Sequence, residues 1–276
     1  MVIIDAQIHI WSADSAARPW PAGRASYAHG PSLSAEEVLR VMDREGVART
    51  VLVPPSWIGD DNSDSLAAAR AHPDRFAVMG RFDLRAPDAA VRLERWLEQP
   101  GMRGIRLTFH RSPWQAWLAD GSLDWFWAAA ERAGIPLMVL VPGQLAALGA
   151  IAARHPRLRL ILDHLARRGG FKDDVAFADL DELLALARYP NVAAKASALP
   201  CYSSERYPFP GLHTHIRRVY DAFGPRRILW GTDYSRLTVP YGEAVRLVTE
   251  ALDFLSDEDR RWIMGRAATE WLGWAL

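Results

Sequence analysis

The sequence has little of what builds cross-links, membrane spans or nucleotide sites. A single cysteine, Cys201, excludes an intramolecular disulfide, and its flanks LPCYSS hold no partner for a catalytic thiol. No run approaches the roughly 20 apolar residues of a membrane span. Met1 leads directly into VIIDAQIHIW, without the basic and apolar regions of a secretory signal. These absences favour a cytoplasmic protein.

A net charge is also lacking, because 33 Lys and Arg balance 33 Asp and Glu. This removes the usual electrostatic case for binding nucleic acid or an anionic membrane. Hydrophobic residues at 50% and charged residues at 24% are typical of globular proteins and argue against disorder. We expect a small-molecule substrate, and neither nucleic acid nor membrane as a partner.

What the chain does have is a regular alternation of short β-rich runs and helical patterns. Eight candidate strands cover residues 2–10, 49–54, 76–82, 102–109, 135–141, 158–164, 191–197 and 227–233. Ser34 and Glu37 form an S-x-x-E capping box at the start of the first helix. Eight repeats of about 34 residues are typical of a (β/α)8 TIM barrel, an α/β fold. We therefore predict one barrel domain over residues 1–276, ending in a helix pair from about residue 256.

A doubly wound open sheet is the alternative architecture. It would need a glycine-rich phosphate turn after the first strand. None follows DAQIHIW, and neither G-x-G-x-x-G nor a P-loop occurs elsewhere.

In a TIM barrel the chemistry lies at the C-terminal ends of the strands and in the loops that follow. Polar and aromatic side chains gather at these positions: Gln7, His9, Trp57, Arg81, Asp83, Arg106, His110, Asp163, His164, Lys195 and Asp233. Gln7 and His9 are two residues apart, which places both on one face of a strand. The alternative is that both are merely hydrogen-bonded polar residues near a strand end.

His164 and Asp233 follow strands 6 and 8, and we expect them to converge as a base–electrophile pair suited to hydrolysis. Alternatively, Asp233 could cap the segment after strand 8, and His164 could satisfy a buried carbonyl.

Five segments carry a resemblance to a known family: IIDAQIHIW, GMRGIRL, LILDHLA, NVAAKAS and ILWGTDY. In this order, over nearly the whole chain, they resemble the amidohydrolase superfamily. They are most similar to its amidohydrolase-related branch, which includes 2-pyrone-4,6-dicarboxylate lactonase, sugar lactonases and non-oxidative decarboxylases. The D-H-L and W-G-T-D segments are the most specific.

The resemblance implies a metal site built from H-x-H in strand 1, a ligand in strand 5, a histidine in strand 6 and an aspartate in strand 8. Here Gln7 replaces the first histidine, and Val141 stands where a strand-5 ligand would be expected. An amide oxygen is a poor substitute for imidazole at zinc. We therefore expect no tightly bound metal and no other cofactor, although His9, His164 and Asp233 could hold a divalent ion such as zinc weakly.

The residues that remain suggest a mechanism. Asp233 would take a proton from water, while His164 and His9 would polarise the carbonyl under attack. Residues expected to bind substrate are Gln7, Trp57, Arg81, Arg106, His110, Lys195 and Tyr202. The cationic side chains among them can bind carboxylate or other polar oxygens of a substrate. Alternatively, an arginine at the mouth of the barrel could pair with a neighbouring carboxylate such as Asp83.

Two long loops, 11–32 and 198–213, are rich in aromatic residues and are expected to wall the substrate pocket. Trp11, Trp20 and Trp57 belong to this candidate pocket group, whereas Trp96, Trp125 and Trp127 fall in helices. A homodimer contact is the other use for such loops.

We predict a hydrolase that opens a lactone or related ester-like bond in a small organic acid. A metal-dependent non-oxidative decarboxylase of the same family and a non-catalytic ligand-binding barrel are the alternatives.

Overall fold

The computed structural model describes residues 1–16, 18–20, 30–110 and 112–275. The strands are β1 Ile4–Ile8, β2 Arg49–Leu52, β3 Phe76–Gly80, β4 Met102–Thr108, β5 Leu137–Leu140, β6 Leu160–Leu162, β7 Val192–Ser197 and β8 Ile228–Gly231. The helices are α1 Ala35–Arg44, α2 Ser63–Ala71, α3 Ala89–Glu94, α4 Trp114–Trp117, α5 Asp124–Arg132, α6 Leu145–Arg154, α7 Asp173–Ala176, α8 Leu180–Leu184, α9 Pro210–Phe223, α10 Tyr241–Arg246, α11 Asp257–Arg261 and α12 Ala267–Leu272.

The strands form one parallel sheet in the order β1 to β8, each paired with the next along the chain. Helical segments separate successive strands, so the predicted (β/α)8 TIM barrel is confirmed. All eight predicted strands were longer than the observed ones. The difference matters for the site in two of them, because β6 ends at Leu162 and β8 at Gly231, so Asp163, His164 and Asp233 lie beyond the strands. The reason is local, because His164 and Asp233 leave the extended conformation for the left-handed one.

The barrel closes between β8 and β1 through the side chain of Asp5. Its carboxylate accepts the backbone N–H groups of Gln7 and Thr232, both at 2.9 Å, and the hydroxyl of Tyr241 at 3.0 Å. Gly231 permits this approach, since a Cβ there would lie 3.1 Å from Asp5 Oδ1 and from the Gln7 nitrogen. The N–H of Asp233 then donates to the Gln7 carbonyl at 2.8 Å, which ties the end of β8 to β1.

The barrel interior changes character along its axis. Its N-terminal half is an apolar cluster that includes Ile4, Val51, Met138 and Leu229, and α12 packs against it from below. Toward the C-terminal ends of the strands, buried polar and charged side chains take over: Gln7, Arg81, Arg106, Asp163, Lys195 and Asp233. Burying so many polar groups is costly unless they are paired, so this end of the barrel is where a functional site is expected.

A register shift between Asp5 and Ile8 explains how β1 contributes to this end. Ile4 and Ala6 belong to the interior apolar cluster, and an irregularity of this kind can re-aim the residues that follow it. Gln7 and His9 also face inward, as the sequence predicts, with their side chains 3.2 Å apart.

Two local predictions have different outcomes. The capping box of Ser34 and Glu37 is confirmed, with both reciprocal hydrogen bonds present. The predicted terminal helix pair was wrong in detail: α11 and α12 are joined by a π-helical turn, Trp262–Arg266, into one continuous run. Within the described residues, no helix is long and apolar enough to cross a membrane.

Candidate active site

A cavity of about 530 Å³ opens at the C-terminal ends of the strands. Its lining comes from the strand ends and the segments after them: His9, Trp11, Pro55, Ser56, Trp57, Arg106, His110, Leu140, Pro142, His164, Arg167, Gly169, Asp233, Ser235 and Arg236. A second hollow, of about 710 Å³, lies on the opposite side of the barrel near Arg159 and Trp271. That hollow lies away from the buried charged side chains. Because active sites of TIM barrels lie at the C-terminal ends of the strands, the cavity of about 530 Å³ is the candidate active site.

The structure separates the ten predicted site residues into two groups. Six line the cavity: His9, Trp57, Arg106, His110, His164 and Asp233. Four are buried and lie outside the set of described residues that line it: Gln7, Arg81, Lys195 and Tyr202. Direct contact with substrate therefore suits the first group better than the second.

The Asp233 carboxylate contacts three other side chains of the site. Its Oδ1 lies 3.1 Å from His9 Nε2, and its Oδ2 lies 3.7 Å from His164 Nε2 and 3.2 Å from Arg236 Nη1. Burial alone would raise the pKa of Asp233, but these neighbours outweigh it and hold the pKa far below the ordinary range. The carboxylate is thus ionised at neutral pH, which is the form that can accept a proton.

Backbone conformation helps to aim the two key side chains. His164 has φ 53° and Asp233 has φ 52°, both in the left-handed region that favours glycine. Such outliers cost free energy and cluster where the surrounding structure holds them for a purpose. Here they turn the chain sharply past β6 and β8 so that both side chains point into one cavity.

His164 is neutral at ordinary pH. Its ring is buried, and this burial lowers its pKa to about 3 against the opposing effect of Asp233. Ser197, the last residue of β7, lies with its Oγ 2.8 Å from His164 Nδ1. If the hydroxyl donates to Nδ1, Nε2 carries the proton and can donate a hydrogen bond into the cavity.

A buried ion network lies beneath the cavity. Arg106 donates from Nε to Asp163 Oδ2 at 2.9 Å, and the Lys195 ammonium pairs with Asp163 Oδ1. Burial would raise the pKa of Asp163, but Lys195 and Arg106 lower it to about 2. Burial lowers the pKa of Lys195, partly offset by Asp163. The network fixes Arg106 at the cavity wall.

Arg81, a predicted substrate contact, lies deeper. Its Nη1 donates to Thr108 Oγ1 at 2.8 Å, and the side chain is 7% exposed. Burial and the neighbouring Arg106 lower its pKa to about 10. Its predicted partner Asp83 instead caps the following turn by accepting from the Arg85 backbone.

The aromatic predictions have mixed outcomes. Trp57 packs edge-on against Trp11 and Trp20, with ring centroids 6.1 and 5.0 Å apart, and forms one wall of the cavity with Trp11. Residues 17 and 21–29 of the first predicted wall loop lie outside the described residues. In the second loop, Tyr202 and Phe209 are packed into the core at 1% and 0% exposure. Burial raises the pKa of Tyr202 to about 12, although Arg236 opposes the effect.

Sequence reasoning missed several residues of the site. Arg167 and Arg236 line the cavity, and Ser197 contacts His164. A signal for both arginines was present: each comes three residues after a key group, Arg167 after His164 and Arg236 after Asp233. In a tight turn past a strand, that spacing brings the side chain back over the same cavity.

The donor set does not fit a catalytic zinc site of the implied kind. The side-chain nitrogen of Gln7 faces His9 Nε2, and its side-chain oxygen accepts a hydrogen bond from the Lys195 ammonium, so this oxygen is not available to a metal. β5 ends at Leu140 and is followed by Val141, and neither side chain can ligate a metal. Among the described residues, no group of three or more His, Cys, Asp or Glu side chains is arranged to hold an ion.

Comparison with known proteins agrees with this architecture. The family model for amidohydrolases matches residues 4–274. The chain is 31% identical over 251 residues to an L-fucono-1,5-lactonase from Burkholderia ambifaria, covering 87% of this chain and 83% of the relative. It is 25% identical to a 4-sulfomuconolactone hydrolase from Hydrogenophaga intermedia, covering 84% and 76% of the two chains.

A solved structure shows how closely the barrel is matched. An amidohydrolase from Burkholderia multivorans with bound zinc superposes with a TM-score of 0.82, at 26% identity and covering 99% of each chain. The barrel, the convergence of side chains at its C-terminal end and the match over almost the full length lead to one assignment. The chain belongs to the amidohydrolase family and is an enzyme of the hydrolase class.

Proposed function

We propose that this enzyme hydrolyses a lactone of a small organic acid, with Asp233 as the general base and without a tightly bound metal. The observation that carries the proposal is the position of Asp233 at the cavity, 3.1 Å from His9 and 3.7 Å from His164. An ionised carboxylate beside two imidazoles can take a proton from water. The similar proteins from Burkholderia ambifaria and Hydrogenophaga intermedia are both named as lactone hydrolases, which supports the reaction type.

The chemistry proceeds in two balanced steps. Water adds its oxygen to the lactone carbonyl carbon, one of its protons passes to Asp233, and the carbonyl oxygen becomes an oxyanion. The oxyanion then re-forms the carbonyl, the bond to the ring oxygen breaks, and the ring oxygen takes the proton from Asp233. The products are a hydroxyl group and a carboxylic acid, which ionises in water.

The oxyanion needs a hydrogen-bond donor, and His164 is suited to this role. It is neutral, and its Nδ1 contact with Ser197 leaves Nε2 directed toward Asp233 and the cavity. A fixed donor aimed at developing charge is usually the largest single contribution to this kind of catalysis.

The remaining walls suggest the substrate class. Arg106 and Arg236 supply guanidinium groups at the cavity, and Trp11 and Trp57 supply a flat apolar surface. Guanidinium groups bind carboxylates through paired hydrogen bonds. We infer a substrate with a ring that can lie against the indoles and with an anionic or oxygen-rich substituent.

The direct test replaces Asp233 with asparagine. Asp233→Asn keeps the shape of the side chain and removes the proton acceptor, so kcat for lactone opening should fall by about 10²–10⁴-fold. Sugar lactones and carboxylated lactones should be assayed by proton release after treatment of the enzyme with a chelator. The matched control is Asp257→Asn, an exposed carboxylate in α11 whose loss should leave kcat unchanged.

Full activity in Asp233→Asn would rule out its role as base. If a carboxylic acid panel instead releases carbon dioxide and no lactone is opened, the enzyme is the decarboxylase alternative.

A further inference from the structure

The turn that follows β6 has an unusual backbone. His164, Leu165 and Ala166 are consecutive residues with φ of 53°, 53° and 55°, all in the left-handed region, and none of them is glycine. The other non-glycine residues with a left-handed backbone in the described part of the chain each stand alone: Asp173, Ala198, Phe209 and Asp233. L-residues adopt this conformation at a cost in free energy and normally one at a time. Contacts from outside the turn are therefore needed to hold it.

Arg167, the next residue, supplies these contacts. Its backbone N–H donates to the His164 carbonyl at 2.9 Å, and its side-chain Nε donates to the Leu165 carbonyl at 2.8 Å. The same guanidinium also reaches the end of α7, where Nη1 donates to the Ala176 carbonyl at 3.1 Å and pairs with the Asp179 carboxylate. One planar group thus ties the turn to the end of α7 and to the residues after it.

The guanidinium of Arg167 borders the cavity but is not free to bind a substrate. The side chain is 0% exposed, and the Asp179 carboxylate balances its charge. Its Cζ lies 5.9 Å from the centroid of the Phe177 ring, which packs against one face of the group. Arg167 can therefore act on the site only through the turn that it holds.

The conformation of the turn decides where the His164 ring lies, because the φ and ψ of a residue fix the direction of its Cα–Cβ bond. In the left-handed conformation, Nδ1 lies 2.8 Å from Ser197 Oγ, and Nε2 lies 3.7 Å from Asp233 Oδ2. Relaxation of the turn would carry the ring away from both partners. A misplacement of about 1 Å at a reacting centre costs up to about 10²-fold in rate.

We propose that Arg167 is a positioning residue, which holds residues 164–166 in the left-handed conformation and thereby aims His164 Nε2 into the cavity. The effect on rate rests on the lactonase function proposed above, whereas the effect on the position of the ring does not. Arginine suits this role because its planar group donates in fixed directions from Nε and Nη1, whereas a lysine ammonium is a point charge on a flexible stem.

The test is Arg167→Lys, which keeps a positive charge near Asp179 but removes the donor that Nε presents to the Leu165 carbonyl. In protein with ¹³C-labelled histidine rings, we expect the His164 ring signal to move and broaden, because the ring no longer has one fixed position. The signal of His155, which lies before β6, should stay unchanged. His164→Gln identifies the signal of interest.

The matched control is Arg227→Lys. Arg227 also binds backbone carbonyls, and its Nη1 donates to those of Ala187 and Tyr189 at 2.8 and 3.0 Å. It precedes β8, at the opposite end of the barrel from the cavity. Thermal unfolding should show a loss of stability in both variants, whereas the His164 signal and kcat should stay unchanged in Arg227→Lys.

For lactone opening, we expect kcat of Arg167→Lys to fall by about 10- to 10²-fold while KM stays within about threefold, because the donor to the oxyanion is displaced and no substrate contact is lost. If Arg167→Lys does not fold, Asp179→Asn weakens the same contact from its 34% exposed side, and the same two readouts apply.

An unmoved His164 signal would overturn the proposal. So would an unchanged kcat in Arg167→Lys, or an equal fall of kcat in Arg227→Lys. If the wild type opens no lactone, the histidine signal still decides whether Arg167 positions the ring, so the two proposals fail separately.

Discussion

Two carboxylates of this barrel, Asp5 and Asp163, are equally buried and yet behave in opposite ways. Both side chains are 0% exposed. Asp5, at the seam between β8 and β1, has a pKa raised to about 6 by burial, which its hydrogen bonds only partly offset. Asp163, below the cavity, has a pKa lowered to about 2 because Lys195 and Arg106 outweigh burial.

The difference lies in the partners. The donors around Asp5 are neutral: two backbone N–H groups and the hydroxyls of Thr232 and Tyr241. The donors around Asp163 are two cations. Neutral hydrogen bonds satisfy a buried carboxylate without fully stabilising its charge, whereas cations do stabilise it. The surroundings of Asp5 therefore tolerate a protonated, neutral carboxyl group, whereas those of Asp163 require an ionised carboxylate.

The largest expected effect comes from Asp163→Asn. This change leaves Lys195 and Arg106 buried with no compensating charge, and breaking a buried pair in this way costs about 3–5 kcal/mol. Urea unfolding at pH 7.5 measures the loss. Asp5→Asn is the matched control, because its amide oxygen can keep both backbone bonds and the hydroxyls can rotate to accept. Equal losses in the two variants would contradict the contrast between them.

A smaller effect should appear in the pH dependence of stability. The pKa of Asp5 is higher in the folded state than its ordinary 3.8. Its contribution to stability is therefore complete below about pH 4 and is lost as the pH rises through about 6. The wild type should lose on the order of 2 kcal/mol relative to Asp5→Asn between pH 4 and pH 7.5.

The expected sign is opposite for Asp163, whose stabilisation is present above about pH 4 and lost as the pH falls through about 2. Unfolding curves at several pH values separate the two residues. A constant difference between wild type and Asp5→Asn from pH 4 to pH 7.5 would show that the seam carboxylate has an ordinary pKa.

The fold and the strand-end residues of the site could be predicted from the sequence, whereas the buried contacts beneath the cavity could not. The eight repeats predict the barrel, and the strand-end rule correctly brings His9, Arg106, His164 and Asp233 to one cavity. How deeply each of these side chains lies below the cavity could not be predicted from the order of residues along the chain. Residue spacing places Lys195 on the inward face of β7. Only the three-dimensional structure shows that its ammonium group is bound by Asp163 and Gln7 beneath the cavity, away from the position of a substrate.

Two other features have no clear signature in the sequence. The left-handed backbone of His164 and Asp233 is uncommon for non-glycine residues, although Asp and His adopt it more often than most, and no local sequence pattern marks these two positions for it. In the sequence, Asp5 is not distinguishable from other polar residues of the first strand. Its role in closing the barrel depends on hydrogen bonds from Thr232 and Tyr241, more than 220 positions away along the chain.

We propose that Asp233 and its neighbours open a lactone without a tightly bound metal. The most direct measurement is the rate of lactone hydrolysis by wild-type enzyme after exhaustive chelation, with metal content determined by mass spectrometry on the same sample. We expect kcat to be retained when the metal content is far below one ion per chain. Loss of activity on chelation, restored by one equivalent of zinc or manganese, would contradict it.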